Sequence, residues 1–152
     1  MREQGIRASA LCIIRHQDRI LAALGYAAAK GEFYRPLGGG INFGERSRDA
    51  VVRELREEIR AEVKDLRYLG LVENLYSRGG VPTHELVLVY QAEFVDPALN
   101  AMTVIQGMEE GEMFEAEWVP LADFISGRAT LFPDGLLELL ASSGALAPEH
   151  NA

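Results

Sequence analysis

The order of predicted elements places this chain in the α/β class, as a mixed sheet with helices packed on both faces. Three observations predict it. Several runs rich in Ile, Leu and Val, bounded by turn residues, read as strands. Val51, Leu55 and Ile59 recur every four residues and form the apolar stripe of one central helix. A second helix signal, FPDGLLELLASSG, stands near the end of the sequence. The sequence therefore reads strands, one helix, more strands, then a terminal helix, which is not a regular βαβα alternation.

Taken in order, residues 6–15 are rich in Ile, Leu and Ala and predict a buried strand. His16, Gln17 and Asp18 form a polar turn, and 19–24 returns as the second arm of a hairpin. Residues 26–32 predict a loop, whose three alanines would also suit a turn of helix. A short strand follows at 33–37, interrupted by Pro36 and closed by Gly38, Gly39 and Gly40. Ser47 is the expected cap of the central helix, with Asp49 in its first turn. Strands are expected at 66–76 and 84–94, joined by a turn at 77–82. The acidic segment 96–112 predicts a loop, 114–119 a strand closed by Pro120, and 121–125 a short helix. Pro133 and Gly144 suit the start and the end of the terminal helix.

The 152 residues suit one domain spanning 1–152, and no linker or repeat divides them. A net charge of −8 argues against a basic nucleic-acid surface and against binding to anionic membranes. It leaves room for a small phosphorylated ligand, because a metal can supply positive charge locally. The single Cys12 forbids an intramolecular disulfide and fits a cytoplasmic location. Cys12 lies in the apolar run ASALCII and reads as a buried small hydrophobe. That run is too short to span a bilayer. No small-residue cleavage site follows it, so no signal peptide is expected.

The stretch RELREEIRAEV, residues 53–63, holds Glu54, Glu57, Glu58 and Glu62. On a helix the first three are related by i+3 and i+4 and share a face. Like charges so placed repel by roughly 0.2–0.5 kcal/mol per pair when exposed. Such a pattern suits either a solvated face or a cation site. Glycines at 38–40 and Gly44 precede it, where a backbone can approach a ligand closely. Hard cations such as Mg²⁺ take oxygen ligands, often one or two carboxylates with water and phosphate.

The segment GGINFGERSRDAVVRELREEIRA resembles the signature box of the Nudix hydrolases, the MutT-like pyrophosphohydrolases. The family pattern runs Gly, five residues, Glu, seven residues, then Arg-Glu-aliphatic-x-Glu-Glu-x-Gly-aliphatic. Gly39, Glu45, Arg53, Glu54, Leu55, Glu57 and Glu58 match it in register, within a box spanning 39–61. Arg60 and Ala61 depart from it, where the family has glycine and an aliphatic residue. A left-handed arginine costs roughly 1–2 kcal/mol. The helix is therefore expected to run slightly past Arg60, or to end in another way.

The resemblance implies an α/β/α sandwich and an enzyme. Such an enzyme cleaves a nucleoside diphosphate linked to another moiety, with water attacking phosphorus. It implies Mg²⁺, or Mn²⁺, on Glu54, Glu57, Glu58 and the Gly39 carbonyl. Arg53 and Glu45 would hold helix and loop in register, in a structural or a catalytic role. Family members differ in the general base. Some use a box glutamate and others one on a distant loop, where this chain offers Glu109, Glu110 and Glu112.

Arg35 is a candidate phosphate contact or an exposed strand-end arginine. His84 is a candidate substrate contact or a structural histidine. Tyr76 and Phe33 suit base stacking or, more commonly, core packing. The substrate stays open: the proline-rich motif of NADH-cleaving members and any clear ADP-ribose marker are absent. A Nudix-fold sensor that binds nucleotide without turnover is the alternative, although such members usually lose box glutamates. The family often dimerises, which makes a second copy a candidate partner; the sequence leaves oligomeric state open.

Overall fold

A computed structural model describes residues 4–28 and 30–148. The described residues form eight strands and three α-helices. The strands are β1 (Ile6–His16), β2 (Arg19–Ala27), β3 (Gly31–Arg35), β4 (Leu37–Gly40), β5 (Val63–Arg78), β6 (Val81–Phe94), β7 (Val104–Glu109) and β8 (Glu112–Pro120). The helices are α1 (Ser47–Ile59), α2 (Leu121–Ile125) and α3 (Leu136–Ser142). A one-turn 3-10 helix covers Pro97–Ala101.

Strand order is β5-β6-β1-β2-β8-β7, with β4 added on β1 and β3 on β2. The β1–β6 pair is parallel; the other pairs are antiparallel. The expected β1–β2 hairpin forms, but only Arg15–Ile20 and His16–Arg19 pair across it. Beyond those residues β1 turns to β6 and β4, while β2 turns to β3 and β8. The sheet therefore splits into a mixed half and an antiparallel half.

Alternation along β1 and β2 sends side chains to two cores. Ala10, Cys12, Ile14, Leu21 and Ala23 pack under α1 with Val51, Leu55 and Ile59. Leu11, Ile13, Ile20 and Ala22 pack on the other face with Phe124, Leu136 and Leu140 of α2 and α3. This is the expected α/β sandwich with helices on both faces. Cys12 is 1% exposed, and burial pushes its thiol up to about 12, so it is an inert core residue. Among the described residues no helix is long and apolar enough to cross a membrane.

Several local expectations are corrected. The 26–32 loop is shorter than expected, since β2 continues to Ala27 and β3 begins at Gly31; the suggested helical turn of the three alanines includes Ala29, which lies outside the described residues. The three glycines do not close a strand; they form β4 itself, paired to β1 at Leu11–Gly38, Ala10–Gly39 and Ser9–Gly40. The 77–82 turn shrinks to Gly79 and Gly80, because β5 and β6 run on into it. Segment 96–112 contains β7, which pairs with β8 from Val104–Glu117 to Glu109–Glu112.

Ser47 is not the cap. Arg46 takes that position without a side-chain cap bond, and the Ser47 hydroxyl meets the Tyr90 hydroxyl at 2.6 Å. Pro133 precedes α3 by three residues, with Gly135 at its cap, and Gly144 follows the helix with φ +80°.

Arg60 is the sharpest correction. The helix stops at Ile59, and Arg60 adopts the left-handed conformation at φ 55° and ψ 35°. The Arg60 amide donates to the Arg56 carbonyl at 3.0 Å, and the Ala61 amide to the Leu55 carbonyl at 3.3 Å. This reversal lets Ile59, Ala61 and Val63 all enter the α1 core. Burying a Val side chain alone contributes about 1.5–3 kcal/mol, which outweighs the local strain. Arg60→Gly relieves that strain and is expected to stabilise the fold by about 1 kcal/mol, part of the gain being lost to the freer unfolded chain. Chemical denaturation checks it, and activity should be unchanged because the Arg60 side chain points to solvent.

Candidate active site

The site is built on the first strand-to-helix crossing after β4. Gly39 makes it possible. A Cβ on Gly39 would lie 2.6 Å from the Glu54 carboxyl carbon and 2.7–2.8 Å from its oxygens. The bare backbone of β4 thus lets the Glu54 carboxylate lie directly against the strand. Gly39→Ala should displace that flexible carboxylate at little cost in stability. The expected result is a fall in turnover with a thermal midpoint near that of the wild type.

Arg53 ties the crossing together. Its Nε donates to Glu45 Oε2 at 2.8 Å, and Nη2 donates to Glu45 Oε1 at 2.9 Å. Nη2 also reaches the Gly40 carbonyl at 2.9 Å. Nη1 donates to Glu54 Oε1 at 3.0 Å and to Glu57 Oε2 at 3.2 Å. Glu45 Oε1 further accepts the Asn42 amide at 3.1 Å. The Arg53 guanidinium, then the Asn42 amide, hold the Glu45 carboxyl down at about 2. Glu45 in turn pushes the Arg53 pKa up. One planar fork therefore spans the loop, β4 and α1, a geometry that a lysine cannot reproduce.

Glu58 has a different environment. It is 4% exposed, and neither carboxylate oxygen has a hydrogen-bond partner. Burial, then the facing Glu109 and Glu54 carboxylates, push its carboxyl up to about 9, with Arg35 pulling the other way. Burying an unpaired carboxylate is costly unless a cation or donors offset it. The oxygen donors here are carboxylates and backbone carbonyls, which suit a hard divalent cation. The residues fit such an ion on the evidence of Glu58. Among the described residues, no three His, Cys, Asp or Glu side chains are already arranged to hold a metal together. Arg53 engages Glu54 and Glu57 instead.

The expected site residues divide into two groups. Gly39, Glu45, Arg53, Glu54, Glu57 and Glu58 meet at the start and along one side of α1. Arg35 and Glu109 join them from two strand ends, bonded to each other at 2.7 Å. The spacing of the sequence carried no sign of that pair, which lies 74 residues apart. Glu110 is exposed at the β7–β8 turn, with φ 49°, and Glu112 is exposed at the start of β8.

Tyr76 pairs with Thr83 and His84 with Leu75, so the two side chains leave opposite faces of the β5–β6 ladder. The Tyr76 ring meets Phe132 at 5.6 Å, and Phe132 meets Phe33 at 5.3 Å. Burial first, then the nearby Glu85, push the Tyr76 hydroxyl up to about 12. Tyr76, Phe132 and Phe33 thus form one half-buried aromatic cluster. The Gly40 carbonyl and the Asn42 amide were not foreseen as anchors, since backbone groups leave no mark in a sequence.

Fold and box together define a Nudix-type chain. The family model described as the NUDIX domain matches residues 5–140, and the chain belongs to the Nudix hydrolase family. A curated relative, the NAD-capped RNA hydrolase NudC of Pseudomonas aeruginosa (strain LESB58), is 30% identical over 113 residues. That match covers 74% of this chain and 36% of the relative. The chain thus spans little more than a third of the length of the curated relatives it matches.

Among solved structures, a NUDIX hydrolase from Nitrosomonas europaea superposes with a TM-score of 0.67 at 15% identity, covering 97% of this chain and 94% of that one. A MutT NUDIX hydrolase from Burkholderia pseudomallei gives 0.62 at 20% identity, covering 95% and 99%. At these identities the structural likeness speaks for the fold.

Proposed function

We propose that the chain is a divalent-metal-dependent pyrophosphohydrolase, acting as one catalytic domain on a nucleoside diphosphate linked to another moiety. The observation that carries this reading is Glu58, a buried carboxylate without a partner inside a complete set of box carboxylates. Glu54, Glu57, Glu58 and the Gly39 carbonyl would hold Mg²⁺ or Mn²⁺. Such an ion neutralises phosphate charge and lowers the pKa of bound water.

The chain's own residues supply the rest. Arg53 and Glu45 fix the helix against β4, so that Glu54 stays beside Gly39. Arg35 is the cation placed to meet a phosphate oxygen. Glu109, at the end of β7 and facing Glu58, would take the proton from water.

A small nucleotide derivative remains the expected ligand class, since the net charge of −8 disfavours a long polyanion. The name of the curated relatives adds NAD-capped RNA to the candidates. A panel with Mg²⁺ tests the reading. It comprises (d)NTPs, nucleotide sugars, ADP-ribose, dinucleoside polyphosphates, NADH and NAD-capped RNA, read by release of phosphate or nucleotide. Glu57→Gln is expected to abolish turnover without loss of fold, since its side chain is 59% exposed. Equal activity in both proteins rejects the assignment. Tight nucleotide binding without turnover on any substrate favours the sensor instead.

A further inference from the structure

Arg35 ends β3 and Glu109 ends β7, two strands that do not pair with each other. Their 2.7 Å ion pair closes over one end of the box, where Glu109 faces the unpartnered Glu58 carboxylate. Glu109 is delivered there by a close approach of backbones. β7 packs on α1, and a Cβ on Gly107 would lie 2.8 Å from the Glu58 carbonyl oxygen and would also strike the Phe114 ring. Glu109 lies two residues further along the same strand and so projects from the same face. The placement of this strand-end carboxylate is therefore set by the box helix itself.

This arrangement leaves Arg35 with two uses. In the ligand-free chain its guanidinium is committed to Glu109. Resting on the phosphate-anhydride reading above, we propose that Arg35 is an exchange latch. A phosphate of the incoming substrate displaces Glu109 from Arg35, and the released carboxylate then stands free beside Glu58. Both side chains are about one-third exposed, at 34% and 38%, so the pair is a modest one and can be displaced. A phosphate group offers more charge and a geometry that suits the guanidinium fork. Phosphate binding and release of Glu109 thus become a single event. The carboxylate stays neutralised until substrate is present.

The latch makes an unusual prediction: removing the carboxylate partner of Arg35 improves binding of the ligand's phosphate portion. The probe is magnesium pyrophosphate, titrated calorimetrically into full-length protein, with thermal midpoints confirming that each variant is folded. Glu109→Gln should bind about two- to five-fold tighter than wild type, because Arg35 no longer has an ion pair to break. Arg35→Gln should bind about tenfold weaker or worse, having lost a charge-assisted contact. The double variant should match Arg35→Gln alone, since the gain from Glu109→Gln requires Arg35.

Unchanged or weaker binding by Glu109→Gln overturns the latch. So does a gain that persists without Arg35, which would mark a general charge effect. Failure of every protein to bind pyrophosphate overturns it as well. The hydrolase reading is judged separately, by turnover in the substrate panel.

Discussion

Glu58→Gln is expected to lower turnover by more than about 100-fold while leaving the metal-free chain at least as stable as the wild type. The two halves of this result have one cause. Glu58 is 4% exposed and its oxygens have no partner, so burial holds it protonated in the metal-free chain, at a cost in stability. Glutamine keeps the shape, avoids that protonation cost and cannot ionise to meet a cation. The gain in the metal-free state should appear as an equal or higher thermal midpoint. The loss appears once a cation is required. Outer partners of a metal ligand typically contribute roughly 10–100-fold, and a direct ligand should exceed that. Mg²⁺ should therefore raise the midpoint of the wild type and not that of the variant, since only binding to the folded state stabilises it. A variant that unfolds without metal would show that Glu58 is an ordinary structural residue.

The second large effect is expected at Arg53. Arg53→Lys retains the charge and loses the fork. A lysine cannot donate at once to both Glu45 oxygens, the Gly40 carbonyl and Glu54 as this guanidinium does. Turnover should fall about 10–100-fold, because Glu54 is no longer held against β4. Stability should fall by about 1–3 kcal/mol, the usual cost of leaving charged, partly buried hydrogen-bonding groups unpaired. Steady-state kinetics and chemical denaturation check the two parts. Full activity with intact stability would reduce Arg53 to a surface ion pair.

The helix of the box was legible because its logic is local. Val51, Leu55 and Ile59 fix one face by periodicity, and the same periodicity places Glu54, Glu57 and Glu58 together. α2 was legible for a similar reason: Pro120 ends β8 and Leu121 opens the helix. Arg60 was misread because its left-handed conformation is imposed from outside the helix. Burial of Ala61 and Val63 demands the turn, and no residue at position 60 announces it.

β7 was missed because its sequence, VIQGME, carries a glycine and sits among acidic residues. Gly107 is not a loop residue; it is the point where β7 meets the last turn of α1. Arg35 and Glu109 were each legible as candidates and their pairing was not, since only the tertiary fold joins β3 to β7. Tyr76 and His84 show the converse. Their residue types suggested a substrate site, and strand alternation sends them to opposite faces.

Binding of Mn²⁺, followed by the loss of its free-ion signal in electron paramagnetic resonance, tests the central claim most directly. The claim is that the carboxylates gathered around Glu58 form a divalent cation site. Wild-type protein should remove the free-ion signal saturably, Mg²⁺ should restore it by competition, and Glu58→Gln should leave it largely intact. Equal Mn²⁺ binding by the wild type and by folded Glu58→Gln would contradict the account.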